Sequence, residues 1–185
     1  MQTYIIYIPG LGDQYGRLRT WALKTWRLRG VTAVHQAITW YDGGDMESKL
    51  ALIKSAIDKA PNDARIVLVG ESAGAALALH AATRDQRVVR VITLCGVARP
   101  DTPVSAYLRR KAPALHQAVS SLPETFSADV HSVRARVDGV VGKRYSSTTD
   151  ATRHVVWSVG HLTTIALCLT LYAPIITTIA KKHKK

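Results

Sequence analysis

With 185 residues, 47% of them hydrophobic, the chain has material for one core and no room for a separate cofactor domain. Its formal charge of +12 is spread over Arg17, Arg19, Lys24, Arg27 and Arg29, then Arg109-Arg110-Lys111, then Lys143-Arg144, and is dense only in the tail Lys181 to Lys185. Scattered charge without a base-reading motif reads as a solvated surface, so no nucleic-acid partner is expected.

The first predicted strand is Thr3–Ile8, an apolar run that ends at Pro9-Gly10 and is too short for a signal peptide. Two cysteines in apolar surroundings, Cys95 and Cys168, read as reduced and buried, which places the protein in the cytoplasm. No close Cys/His spacing suggests zinc, and no metal or cofactor is expected.

A basic amphipathic helix is predicted from about Tyr15 to Arg29, with Leu18, Trp21, Ala22, Thr25 and Leu28 on one side and Trp21 in the core. Gly30 stops it, and Val31–Val34 begins the second strand. Trp40 to Asp45 then reads as a simple turn or as a border of the site. A helix follows from Met46 to Ala60, closed by Pro61-Asn62-Asp63.

Arg65–Val69 is the third strand, and a helix follows it to about Arg84. Between them lies Gly70-Glu71-Ser72-Ala73-Gly74, a G-x-S-x-G turn in the strand-to-helix context that gives the motif meaning. Glycines at both ends remove side chains that would clash as the strand folds back on the helix, and Ser72 is pushed out at the carboxyl edge.

Arg87–Leu94 is the fourth strand, and Pro100 to Phe126 is expected to be helical, with prolines at 103, 113 and 123. Residues 100–128 thus form a cap-like insertion. Its apolar residues, Tyr107, Leu108, Leu115, Val119 and Leu122, either line a substrate pocket or form the buried face of a covering helix. Val130–Val137 and Val155–Ser158 are the fifth and sixth strands. Leu162 to Ala180 is a final helix of 19 residues without a charge. Its length barely matches a membrane span, yet its five threonines, Pro174 and its start beside His161 favour a buried closing helix. Strands apolar on both faces, alternating with helices, define an α/β class. The expected architecture is a single three-layer domain over residues 1–185, with a mostly parallel sheet of about six strands covered on both sides.

Serine is a poor nucleophile at neutral pH and needs a base, itself oriented by an acid. Asp138 directly follows the fifth strand and His161 the sixth, so Ser72, Asp138 and His161 are expected to meet at one sheet edge. Asp101 and Asp129 are rivals for the acid. His154 is a rival for the base but should lie at the opposite edge, while His35, His80, His116, His131 and His183 read as surface or core residues. The backbone N–H of Ala73 and of Leu11, in the glycine-bearing loop Ile8 to Asp13, are the expected oxyanion donors, with Gly10 close to substrate.

Pro9-Gly10-Leu11-Gly12, Gly70-Glu71-Ser72-Ala73-Gly74, Val137-Asp138-Gly139-Val140-Val141 and Gly160-His161 together resemble the α/β-hydrolase superfamily. The resemblance covers nearly the whole chain, and in size it is similar to minimal, almost lidless bacterial esterases and lipases. Relatives often carry His-Gly where this chain has Pro9-Gly10. The resemblance implies a serine esterase acting on small carboxylic esters of short to medium chain, with lactones within reach of the same chemistry and thioesters and amides less so. The alternative is a non-catalytic protein of the same fold, held at a membrane by its final helix and basic tail.

Overall fold

The computed structural model describes residues 2–182; His183, Lys184 and Lys185 of the basic tail lie outside the described residues. Six strands form one parallel sheet: β1 (Thr3–Ile8), β2 (Thr32–His35), β3 (Arg65–Glu71), β4 (Val88–Leu94), β5 (Asp129–Val137) and β6 (Thr152–Val159). Their order is β2-β1-β3-β4-β5-β6, and every neighbouring pair is parallel. All carboxyl ends therefore share one edge.

Alternation along the strands divides the core in two. Ile6, Ile8, Ile66, Leu68, Val91 and Val130 face helices α2 (Met46–Asp58), α3 (Gly74–Arg84) and α5 (Pro113–Ser120). Ile5, Tyr7, Val67, Val69, Ile92 and Val133 face α1 (Gly16–Thr25), α6 (His161–Leu169) and α7 (Ala173–Lys181). A parallel sheet buried on both faces requires such doubly apolar strands.

Three expectations are corrected. First, the helix expected over 15–29 is α1 followed by a 3-10 turn, Trp26–Arg29, and it is rotated from the expected face. Ala22, Leu23 and Trp26 are buried, whereas Leu18, Trp21 and Leu28 are 66%, 66% and 88% exposed. Trp26, not Trp21, is the core residue, and its indole N–H donates to the Leu169 carbonyl at 3.0 Å. This segment carries apolar residues all round, so its pattern does not choose a face. The choice follows from Arg19, which turns inward to an acidic partner.

Second, Pro100–Phe126 is helical only over α4 (Ala106–Lys111) and α5. Pro113 begins α5 in its first turn, where no backbone donor is required. In α5, Ala114, Leu115, Ala118 and Val119 are buried in the core shared with α2 and α3, while α4 has no buried residue. Third, the final helix is two helices bent by 65°. The break falls at Thr170–Tyr172, where Thr170 leaves helical geometry and Pro174 sits in the first turn of α7. Among the described residues no single helix is long and apolar enough to cross a membrane.

The scattered cations are also not all solvated. Arg19, Lys49, Arg65 and Arg90 are buried; the first two and Arg90 pair with Glu71, Asp42 and Asp129, and Arg65 donates to the carbonyls of Lys181 and Lys182.

Candidate active site

The turn after β3 brings the chain back on itself with no space to spare. A Cβ on Gly70 would stand 2.5 Å from the Ala75 Cα, and one on Gly74 would stand 2.5 Å from the Ile8 carbonyl oxygen. Only glycine fits at either end. Ser72, held between them, has φ = 48°, a left-handed conformation that costs a β-bearing residue about 1–3 kcal/mol. Its N–H donates to the Leu94 carbonyl at 2.9 Å, and its own carbonyl accepts from Val97 at 3.0 Å and Ala75 at 3.2 Å. These bonds to β4 and α3 hold the strained geometry.

Ser72, Asp138 and His161, 89 residues apart at the extremes, come together at the carboxyl edge. His161 Nε2 lies 2.9 Å from Ser72 Oγ, and His161 Nδ1 lies 2.8 and 3.0 Å from the two Asp138 carboxylate oxygens. Gly160, with φ = 92°, turns the chain ahead of His161, and its N–H donates to the Val137 carbonyl at 2.8 Å. That bond ties the loop carrying the imidazole to the loop carrying the carboxylate.

Asp138 also accepts from the backbone N–H of Val140 at 3.0 Å and Val141 at 2.8 Å. Burial pushes its pKa up. Hydrogen bonds from His161 and the two amides, with electrostatic attraction to His161, outweigh burial and hold the carboxyl at about 2. It is an acceptor throughout the physiological range.

Behind Ser72 lies a buried cluster that the sequence reading did not anticipate. Glu71 receives a fork from Arg19, Nη2 to Oε1 at 2.5 Å and Nε to Oε2 at 2.7 Å, and the Tyr7 hydroxyl at 2.6 Å. Arg19 Nη1 also donates to the Gly12 carbonyl at 2.7 Å. One guanidinium thereby joins the serine turn to the loop after β1. Trp40 braces the same loop, its indole N–H reaching the Pro9 carbonyl at 3.2 Å, so the 40–45 stretch borders the site as well as turning the chain. An arginine four residues into a basic helix offers no signal of this role by itself. Its only sequence clue is an acid, Glu71, at the end of an apolar strand.

Gly10 approaches Ser72 so closely that a Cβ there would stand 2.7 Å from the Ser72 Cβ. Leu11 follows it in the same loop, and Ala73 opens α3 directly after the serine. Tyr107 and Leu108 lie on α4, the first exposed and the second partly buried against the α2–α3–α5 core. Cys95, also left-handed at φ = 47°, directly follows β4 beside the Asp138 carboxylate; its thiol and ligating atoms of Asp138 and His161 all lie within 4.8 Å of one another. Burial, opposed by an Ala135 backbone bond and reinforced by Asp138, raises the thiol pKa. A protonated thiol is a weak donor to that carboxylate and a poor metal ligand.

The rivals are engaged elsewhere. Asp129 begins β5 and pairs with Arg90 and His131, Asp101 pairs with Arg144 at 2.6 Å, and His154 stacks on His131 near the start of β6. None of them is placed with Ser72.

This architecture is the α/β-hydrolase fold in a minimal, six-stranded form. Among solved structures, the chain is similar to the ydeN gene product of B. subtilis, with 18% identity, a TM-score of 0.69 and 97% of both chains covered. It is also similar to Est1E from Butyrivibrio proteoclasticus, with 15% identity, a TM-score of 0.68 and coverage of 97% of this chain and 89% of that one. A monoacylglycerol lipase from Paleococcus ferrophilus aligns at 14% identity and a TM-score of 0.62 over 87% and 88% of the two chains. Compared by sequence, the chain matches no protein-family model and no curated protein.

Proposed function

We propose that the protein is a serine hydrolase that cleaves carboxylic esters of short to medium acyl chain, lactones included, through an acyl-enzyme. The observation that carries this reading is the continuous path from Asp138 through both nitrogens of His161 to Ser72 Oγ. The likeness to a structure described as a monoacylglycerol lipase supports the same class.

In this mechanism His161 takes the Ser72 proton as Oγ attacks the acyl carbonyl. Asp138 fixes the tautomer that leaves Nε2 free to accept, and stabilises the imidazolium. The Ala73 and Leu11 N–H groups receive the oxyanion; Gly10, having no side chain, admits the substrate to them, and Tyr107 and Leu108 contact its far end. His161 then protonates the departing alkoxide, and water, activated by the same imidazole, releases the acid. No metal or cofactor takes part in these steps.

Turnover of p-nitrophenyl butyrate tests the reading. Ser72→Ala should lower kcat on the order of 10⁴-fold or more. Unchanged turnover in that variant would remove Ser72 from the mechanism.

A further inference from the structure

Residues 14–41 and 151–185 contain no aspartate or glutamate; all thirteen acids lie outside these two stretches. Far apart in the chain, they supply α1, α6 and α7, which together cover one face of the sheet. The charge that looks scattered in sequence is therefore one-signed across a whole layer.

The middle of that layer is apolar. Leu18, Trp21 and Leu28 stand out along one side of α1 and its 3-10 turn, and Leu162, Leu171 and Ile175 are exposed on and between α6 and α7. No charged residue occurs between His161 and Lys181. A groove of about 370 Å³ runs between α1 and α6, with Leu18, Trp21, Leu162 and Ile165 among its walls. Exposed Arg17, Lys24 and Arg27 flank the apolar stripe of α1, and Lys181, whose Nζ donates to the Arg29 carbonyl at 3.0 Å, adds charge where α7 meets the end of that segment.

We propose that the α1–α6–α7 face docks on an anionic lipid bilayer. An apolar centre containing an exposed indole and leucines, rimmed by Lys and Arg, matches the acyl–headgroup boundary: ring and leucines enter, cations remain with the phosphates. A polynucleotide would instead require cations at the centre of the face. The carboxylate-free layer adds no repulsion from the negative leaflet. Docking stands apart from the hydrolase reading, although Glu71 and Leu162, the chain neighbours of Ser72 and His161, both line the groove.

The test is flotation of the full-length Ser72→Ala protein with vesicles of phosphatidylglycerol and phosphatidylcholine, against phosphatidylcholine alone. The protein should float far more fully with the anionic vesicles than with phosphatidylcholine alone. Replacing Arg17, Lys24 and Arg27 by Gln should lower partitioning on the order of a hundredfold, about fivefold for each charge. Leu18→Ser with Trp21→Ser should abolish the salt-resistant fraction while leaving the thermal unfolding midpoint unchanged. In a Trp157→Phe background, vesicles should shift tryptophan emission to the blue, and Trp21→Phe should remove the shift. The proposal is overturned by absence of flotation, or by flotation indifferent to Leu18 and Trp21 and carried by the terminal lysines alone. It is equally overturned by a dimer in sedimentation that shields Trp21, or by duplex DNA binding in place of vesicle binding.

Discussion

Arg19 and Glu71 form a two-bonded ion pair, 5% and 1% exposed at the side chain, one residue behind Ser72. The third nitrogen of the same guanidinium holds the Gly12 carbonyl. The pair thus sets the distance between the turn that carries Ser72 and the loop that faces it.

Removing Arg19 should affect both stability and turnover. Arg19→Met leaves a buried carboxylate unpaired, which costs about 3–5 kcal/mol; Arg19→Met with Glu71→Gln should recover part of that loss in urea unfolding. Arg19→Lys keeps the charge but not the fork. It should lower kcat by up to about 10²-fold with a smaller change in KM, the signature of a displaced loop rather than lost substrate contact. Equal effects on every variant's stability and none on the lysine variant's kcat would assign the pair to folding alone.

The glycines of the serine turn separate steric from conformational cost. Gly74→Ala would press its Cβ on the Ile8 and Pro9 carbonyl oxygens at 2.5 and 2.6 Å. A loss of about 1–3 kcal/mol or more is expected, together with impaired hydrolysis. Gly43→Ala is the control: its φ is 75° but no atom lies within 4 Å of the new Cβ, so only about 1–2 kcal/mol of left-handed strain is added, with activity intact. Thermal unfolding and ester turnover of the two variants check this.

Acid should act on Asp138 in a defined window. Its carboxyl is held at about 2, against an ordinary value of 3.8. The stability this supplies is complete above about pH 4 and lost as pH falls towards 2, about 2 kcal/mol in all. Asp138→Asn should flatten the unfolding free energy across that window. At neutral pH it should also lower kcat on the order of 10⁴-fold, because the imidazole loses its tautomer control.

A second window lies near neutrality. His131 Nδ1 and His154 Nε2 are 3.0 Å apart, so one ring must donate and the other accept. Burial lowers both pKa values. Arg90 and Lys182 lower His131 further while Asp129 raises it, and His131 and Lys182 lower His154 further. For histidines whose folded pKa is depressed, stability is complete above the ordinary value of about 6.5 and falls as pH drops below it. His154→Gln should reduce the slope of the melting temperature between about pH 6.5 and 5; an unchanged slope would place that titration elsewhere.

What the sequence revealed depended on whether the signal was local. Ser72, Asp138 and His161 each follow a strand, and Gly70, Gly74 and Gly160 mark turns that side chains could not make, so their convergence at one edge was legible. The orientation of α1 was not, because Leu18 and Trp21 compete with Leu23 and Trp26, and a buried salt bridge from Arg19 to a residue 52 positions away decides the outcome. Thr170 to Tyr172 looked helical by hydropathy, and packing of α6 and α7 as separate helices overrode that pattern. The one-signed layer is invisible until residues 14–41 and 151–182 are placed side by side.

Labelling with a fluorophosphonate probe, followed by mass mapping of the adduct, decides whether Ser72 is the nucleophile. One covalent adduct is expected, on Ser72, formed rapidly by the native protein, slowed steeply in His161→Ala and absent in Ser72→Ala. A native protein that resists the probe, or an adduct on another residue that persists without Ser72, would contradict it.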